Sequence, residues 1–232
     1  MRAWVQERLQ GPLTLKEIPD PTPGPGEVVL EVEAVGLNFA DHLMRLGGYL
    51  TRTHPPFVPG MEAVGWVEGR RFAALMGHGA LAEKVAVPRE ALLPVPEGLS
   101  SEEAAAYPVS FLTAYLALRQ AGAKPGEKVL VQAAAGALGT ALVQVAKAMG
   151  LKVLASASRP EKLDLPQALG AEAVAPYAEL PERARAFGGV DILPDIPHPS
   201  FLGLRILGWK PHPTYRCTTW ATWAWWPASW IR

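Results

Sequence analysis

The stretch best suited to chemistry is Lys128-Val-Leu-Val-Gln-Ala-Ala-Ala-Gly-Ala-Leu-Gly-Thr140. A short apolar strand runs into a turn of small residues and then into a helix. Such a turn lets a backbone approach a pyrophosphate and points free helix N–H groups at it. On this reading Ala135, Gly136, Ala137, Leu138 and Gly139 hold the diphosphate of a dinucleotide. Gly136 is expected to take the positive φ of a tight turn, and Gly139 to let the helix sit close to the strand. Ala141–Met149 continues the helix, and Gly150 stops it. The first glycine of G-x-G-x-x-G is missing. A second reading therefore stays open, in which the small residues of a buried strand–helix unit serve packing alone.

The elements around this turn change character along the chain. Residues 1–100 read as β-rich. In Glu27–Val35, Leu30, Val32 and Ala34 share one face and Glu31 and Glu33 the other, the mark of a half-buried strand. Pro19–Gly26 is a stiff loop. Further strands are expected at Ala63–Glu68, Arg71–Leu75 and Ala82–Val87, with one helix at Phe39–Arg45. Ser100 or Ser101, followed by Glu102 and Glu103, reads as a helix start. Ala104–Tyr107 is a short helix broken at Pro108, and Val109–Gln120 a longer one. Strands at 129–134, 152–155 and 172–175 then alternate with helices at 137–149, 160–169 and 179–187, and another strand starts at 190–193. Strands alternating with helices of this length predict a parallel, doubly wound sheet.

Bulk properties narrow the classes. The 232 residues suffice for one large domain or two small ones with a real core. The formal net charge is +0, so no global field draws in nucleic acid or an anionic membrane. The single cysteine, Cys217, allows no internal disulfide and no cysteine-based zinc site. Met1-Arg-Ala-Trp-Val carries no signal-peptide core, and no apolar run is long enough to span a bilayer. A cytoplasmic protein without membrane or nucleic-acid partners is the expectation. Asparagine occurs once, as Asn38, against 23 prolines, a bias that suits heat adaptation or a GC-rich genome.

After Leu193 the pattern breaks. Six of the eight tryptophans lie from Trp209 onward, and no Asp or Glu follows Asp195. Three readings of residues 194–232 stay open: an aromatic patch for a membrane interface or single-stranded nucleic acid, an irregular tail, or the translation of a shifted reading frame. Prolines at 194 and 197 cut the fourth strand. No fifth or sixth strand is expected, which would leave the fourth as a raw edge. On this reading the chain is an unstable, inactive product, monomeric or aggregating.

Three blocks together resemble the zinc-independent quinone oxidoreductases, the zeta-crystallin-like branch of the medium-chain dehydrogenase/reductases. They are Val35-Gly-Leu-Asn-Phe-Ala-Asp-His-Leu-Met-Arg-Leu-Gly-Gly-Tyr49, Pro55-Pro-Phe-Val-Pro-Gly-Met-Glu-Ala-Val-Gly65, and Tyr107-Pro108 with Thr113-Ala-Tyr115 and Leu130–Gly139. The resemblance implies a GroES-like β-rich catalytic domain over residues 1–107 and an incomplete Rossmann domain over 108–193, with the active site in the cleft between them. Residues 194–232 stand outside that fold. It implies hydride transfer from a nicotinamide to a quinone or similar conjugated carbonyl, with an enoyl reductase or an inactive nucleotide-binding fragment as alternatives. For an intact chain the resemblance implies a homodimer, which the pattern after Leu193 puts in doubt here. Asn38 and Asp41 are implied as polar contacts near the nicotinamide, with helix capping as their structural alternative. Tyr49 is an aromatic wall or a plain core tyrosine, and Arg45 pins a loop. Thr113 is a cofactor contact or a helix-interior threonine. The zinc branch has cysteine where Asn38 stands and histidine where Met61 stands, and neither substitute is a good zinc ligand. His42, His54 and His78 are read as surface or loop residues.

The second strand decides the cofactor. A site for NAD places an acid there, about 20 residues past the glycines, to bind the ribose 2′-OH. This chain has Leu154-Ala-Ser-Ala-Ser-Arg-Pro-Glu-Lys162. Ser156 and Ser158 replace the acid, and Arg159 and Lys162 add positive charge that suits a 2′-phosphate. The alternative is a solvated helix start with ordinary surface charges. The resemblance adds Tyr177 beside the same phosphate. NADPH is the expected cofactor, and no metal is.

Overall fold

The computed structural model describes residues 1–49, 53–194 and 216–218. Two compact units divide the chain between Val109 and Ser110.

The first unit contains β1 (Arg2–Gln6), β2 (Leu13–Glu17), β3 (Glu27–Gly36), α1 (Phe39–Leu46), β4 (Glu62–Val67), β5 (Arg70–Leu75), β6 (Lys84–Pro88), β7 (Leu92–Pro94) and α2 (Ser101–Ala106). β1 and β2 form an antiparallel ribbon, and β6-β3-β4-β5-β7 an antiparallel sheet. The alternation in β3 holds only as far as Val32, because a register shift between Val32 and Ala34 puts Ala34 against Val64, Ala104 and Ala105 and brings Val35 to the core of Leu30. Leu30 is fully buried, Val32 packs on the core, and Glu31 and Glu33 face solvent. α2 starts as its sequence indicates, since Ser100 and Glu103 satisfy each other's N–H groups at 3.2 and 2.9 Å.

The second unit contains α3 (Pro108–Gln120, which begins two residues before the boundary), β8 (Lys128–Val131), α4 (Ala137–Ala148), β9 (Lys152–Ala157), α5 (Asp164–Ala168), β10 (Ala173–Pro176), α6 (Leu180–Ala186), β11 (Ile192–Pro194) and β12 (Arg216–Thr218). The strands pair in parallel in the order β10-β9-β8-β11-β12. Numbered within the sheet this is 3-2-1-4-5, the doubly wound order. Strand alternation splits its core. Val129, Val131, Val153 and Ala155 pack with Leu142, Ala146 and Leu118 on one face. Leu130 and Leu154 pack with Leu180 on the other.

Several expectations need correction. The strand expected to reach residue 134 stops at Val131, because Ala133 takes a positive φ of 49°. Residues 160–169 form no single helix. A 3-10 turn at Pro160–Lys162 precedes α5, whose Pro166 lies in its first turn, where a missing N–H costs little. Likewise a 3-10 turn at Tyr177–Glu179 precedes α6. The fourth strand is not a raw edge. Arg216–Thr218 pairs with it in parallel, Leu193 opposite Cys217 and Pro194 opposite Thr218. The expectation that no strand follows β11 is therefore overturned for the fifth position. The aromatic stretch 221–230 lies outside the described residues.

Gly65 shows how tightly β4 lies on β3. A Cβ there would sit 2.0 Å from the Glu31 carbonyl oxygen and 3.0 Å from the Val32 Cα, both backbone. Gly65→Ala is expected to lower unfolding free energy by about 1–3 kcal/mol. Gly77→Ala, whose Cβ meets open space, is expected to stay within about 0.5 kcal/mol of the parent. Urea unfolding of both variants checks the contrast.

Candidate functional site

In the second unit the site is the bend between β8 and α4. Gly136 is the N-cap of α4, with an extended backbone at φ −85°, ψ 169°. The positive φ expected of Gly136 belongs to Ala133 instead. The bend is closed by the Gly136 N–H donating to the Ala133 carbonyl at 2.9 Å, while the Ala134 N–H donates to Ser156 O of β9 at 3.0 Å. The bond from the Thr140 N–H to Gly136 O, 2.8 Å, is where the helical ladder begins. The N–H groups of Ala137, Leu138 and Gly139 come before it and have no carbonyl one turn back. They lie at the carboxyl end of β8, where the strand order reverses, with positive helix-dipole character.

Gly139 is a geometric necessity. A Cβ on it would lie 2.3 Å from the Ala133 carbonyl oxygen and 2.6 Å from the Ala134 Cα. The close helix-to-strand packing expected of Gly139 is thus what the structure shows. Ala135 is half-buried, and Gly136 and Ala137 are exposed. The phenol oxygen of Tyr177 accepts from the Ala133 N–H at 3.2 Å, which ties the end of β10 to the bend.

The 2′-phosphate candidates separate. Ser156 is completely buried, and its Oγ has no hydrogen-bond partner. Ser158, Arg159 and Lys162 are exposed just past β9. Arg159 pairs with Glu161 at 3.2 Å, both more than 60% exposed. Thr113 is half-buried in α3.

In the first unit the site is the start of α1. Asn38 occupies the N-cap position, and its own N–H donates to Asp41 Oδ2 at 2.8 Å. Its Nδ2 donates to Glu62 Oε1 at 2.7 Å, and Glu62 Oε2 accepts from the Val109 N–H, also at 2.7 Å. Both carboxyl groups are buried, Asp41 at 5% and Glu62 at 1% exposure. Burial pushes the pKa of each upward, against the hydrogen bonds each accepts. Asp41 Oδ1 is buried without a hydrogen bond of good geometry. Tyr49 is half-buried, and burial, then the neighbouring Asp41 charge, raises its pKa. Arg45 pins a loop, as expected, through Gln6 Oε1 at 2.8 Å and the Gly11 carbonyl at 3.1 Å.

Glu62 lies within the Pro55–Gly65 block, where its residue type alone assigns it no role. The usable signal is an acid between Met61 and Ala63, at the head of a strand in which Trp66 alone is exposed. His42, His54 and His78 are exposed. Among the described residues no group of three or more His, Cys, Asp or Glu could hold a metal ion, and no helix is long and apolar enough to cross a membrane.

Known families match both units. Residues 24–73 match the alcohol dehydrogenase GroES-like domain, and residues 137–199 match the zinc-binding dehydrogenase domain. The chain is 38% identical over 213 residues to quinone oxidoreductase-like protein 2 of Bos taurus, covering 84% of this chain and 61% of that one. It is 39% identical over 158 residues to the synaptic vesicle membrane protein VAT-1 homolog of Homo sapiens, covering 62% and 40%. The chain therefore spans less than two thirds of the length of these curated relatives. Among solved structures, the quinone oxidoreductase of Thermus thermophilus, studied also in complex with NADPH, is 70% identical with a TM-score of 0.85, covering 90% of this chain and 70% of that one. A mycobacterial protein complexed with NADPH is 32% identical with a TM-score of 0.78, covering 87% and 69%.

The raised pKa of Asp41 has a definite sign. Stability linked to this group is fully present in acid and is lost as pH rises through the raised native value. Asp41→Asn keeps an acceptor for the Asn38 N–H and cannot ionise. The gap between the urea midpoints of variant and parent is expected to widen in the variant's favour from about pH 3 to about pH 8. A gap that does not vary with pH would contradict the assignment.

Proposed function

The chain belongs to the quinone oxidoreductases of the medium-chain dehydrogenase/reductase superfamily, and we propose that it binds NADPH and serves hydride transfer to a quinone or similar conjugated carbonyl compound. One observation carries this reading. The N–H groups of Ala137, Leu138 and Gly139 stand free of the helical ladder at the switch point of the parallel sheet, beside a helix that Gly139 lets approach the Ala133 carbonyl.

The residues present fit a dinucleotide. Gly136 is exposed, and the nearest atom to a Cβ there would be the Ala133 carbonyl oxygen at 3.3 Å, so the rim of the bend is bare backbone. The bend and the first turn of α4, Ala135 to Gly139, would hold the diphosphate. Ser158, Arg159 and Lys162 would hold the 2′-phosphate, where an acid for the free 2′-OH is missing. Ser156 is assigned to the floor beneath them, because its side chain is fully buried. Tyr177 would brace the bend and flank the same phosphate. Thr113 is assigned to the cofactor.

When bound, the reduced nicotinamide supplies the hydride. Asn38, Asp41 and Tyr49 are assigned to the reacting end of the chemistry. Their work is orientation, because a reduced quinone takes its proton from water and needs little acid–base machinery. The Asn38 Nδ2 donates to a carboxylate, and neither an amide in that role nor the thioether of Met61 makes the donor set that zinc prefers. The reading is therefore of a zinc-independent enzyme.

Fluorescence titration of the 232-residue chain tests the cofactor assignment. NADPH is expected to bind more tightly than NADH. The double variant Arg159→Ala/Lys162→Ala is expected to weaken NADPH about tenfold or more, with NADH changed by less than about twofold. Equal affinity for the two cofactors in the parent would overturn the assignment, and an acceptor screen with NADPH tests the reaction itself.

A further inference from the structure

Glu62 lies outside every role given so far, and its surroundings are built around it. Its two oxygens each accept one hydrogen bond at 2.7 Å, from the Asn38 side chain and from the Val109 backbone. These partners lie 24 and 47 residues away in sequence. The backbone makes room for the carboxylate at Gly36. A Cβ there would sit 2.3 Å from Glu62 Oε1 and 2.3 Å from the Ala105 carbonyl oxygen. A carboxylate buried to 1% exposure is costly unless its oxygens are used, and here both are.

We propose that Glu62 is a positioning residue that holds the side-chain amide of Asn38 in one plane and one of its two flip states, with the amide oxygen toward the Asp41 N–H of the helix cap and the second N–H presented as a fixed donor edge to a ligand. A planar amide has two N–H donors and one carbonyl acceptor. Committing one Nδ2 proton to a carboxylate fixes where the other proton and the oxygen point. The Asn38 main chain is fixed separately by the bond from its N–H to Asp41 Oδ2. The residue is thus anchored twice, at the backbone by Asp41 and at the side chain by Glu62. Only an acceptor at both oxygens of residue 62 suits the two donors it meets. Glu62→Gln keeps the volume but turns one N–H₂ toward an N–H. The role of the edge in cofactor binding rests on the proposed function, whereas the fixing of the amide does not.

Asn38 is the only asparagine in the chain, so side-chain labelling of asparagine with ¹⁵N gives one N–H₂ signal pair and no ambiguity. In the parent, one of the two protons is expected to exchange with water at least about tenfold more slowly than the other, as a buried charge-assisted bond requires. In Glu62→Gln the two rates are expected to converge. NADPH affinity is expected to fall about three- to tenfold in Glu62→Gln and in Asn38→Ala. The double variant is expected to be no weaker than Asn38→Ala, because the two residues act as one unit. Equal exchange of both protons in the parent, which needs no variant to fold, would overturn the proposal, as would unchanged exchange in Glu62→Gln. Additive losses of affinity would show that Glu62 acts other than through Asn38, and would also overturn it. Failure of the parent to bind NADPH would remove the cofactor reading, and the exchange rates would still decide whether Glu62 holds Asn38.

Discussion

The second unit depends on the approach of α4 to the bend after β8. The contact is between backbones, Gly139 against the Ala133 carbonyl and the Ala134 Cα. No side chain can be trimmed or rotated to relieve it, so the geometry admits one residue type there. That approach sets the helix axis and hence the aim of the three N–H groups ahead of the ladder. It also brings Ala134 within a hydrogen bond of Ser156, so the bend and the end of β9 move as one piece. The position of the exposed cations past β9 is therefore linked to the same contact.

The first unit solves a different problem. Its candidate groups are two carboxyls taken almost wholly out of water, and each must find donors or stay protonated. Glu62 finds two at good geometry, while Asp41 finds one for Oδ2 and leaves Oδ1 without a good one. Such a cluster weakens the fold at neutral pH and gains orientation in exchange, which makes sense where a side-chain amide must be held still. A helix cap alone needs no buried partner for the Asn38 amide. The bond to Glu62 is the feature that capping leaves unexplained.

What could be read in advance follows from how far each cause reaches along the chain. The period-two pattern of β3 up to Val32 and the reciprocal cap at Ser100 and Glu103 are local and legible in the residues themselves, whereas the register shift that turns Ala34 off that face is set by pairing with β4 and is not. The small residues of the bend were legible as a class, but the division of labour among them was not. Ala133 takes the left-handed φ while Gly136 stays extended, because the hydrogen bonds closing the bend tie Ala133 and Gly136 to each other and Ala134 to β9. Glu62 was invisible as a functional group because its partners arrive from 24 and 47 residues away. β12 was invisible for a related reason. Arg-Cys-Thr has no pattern of its own that marks a strand, and its pairing is set by the open edge of β11.

The ion pair just past β9, at the proposed phosphate end of the second unit, raises a competition that magnitudes settle. Arg159 already has an anionic partner in Glu161, two residues away. If that pair were strong, Arg159 would be spent and could add little to the recognition of a phosphate. Both side chains are mostly exposed, however, and a pair of this kind is worth about 0–1 kcal/mol. A phosphate brings more charge than one carboxylate and offers several acceptor oxygens, which suit the fork of a guanidinium. It can therefore displace Glu161 at small cost. With a formal net charge of +0 on the chain, no long-range field favours an anionic ligand, so the proposed preference for a 2′-phosphate would have to arise from such local groups.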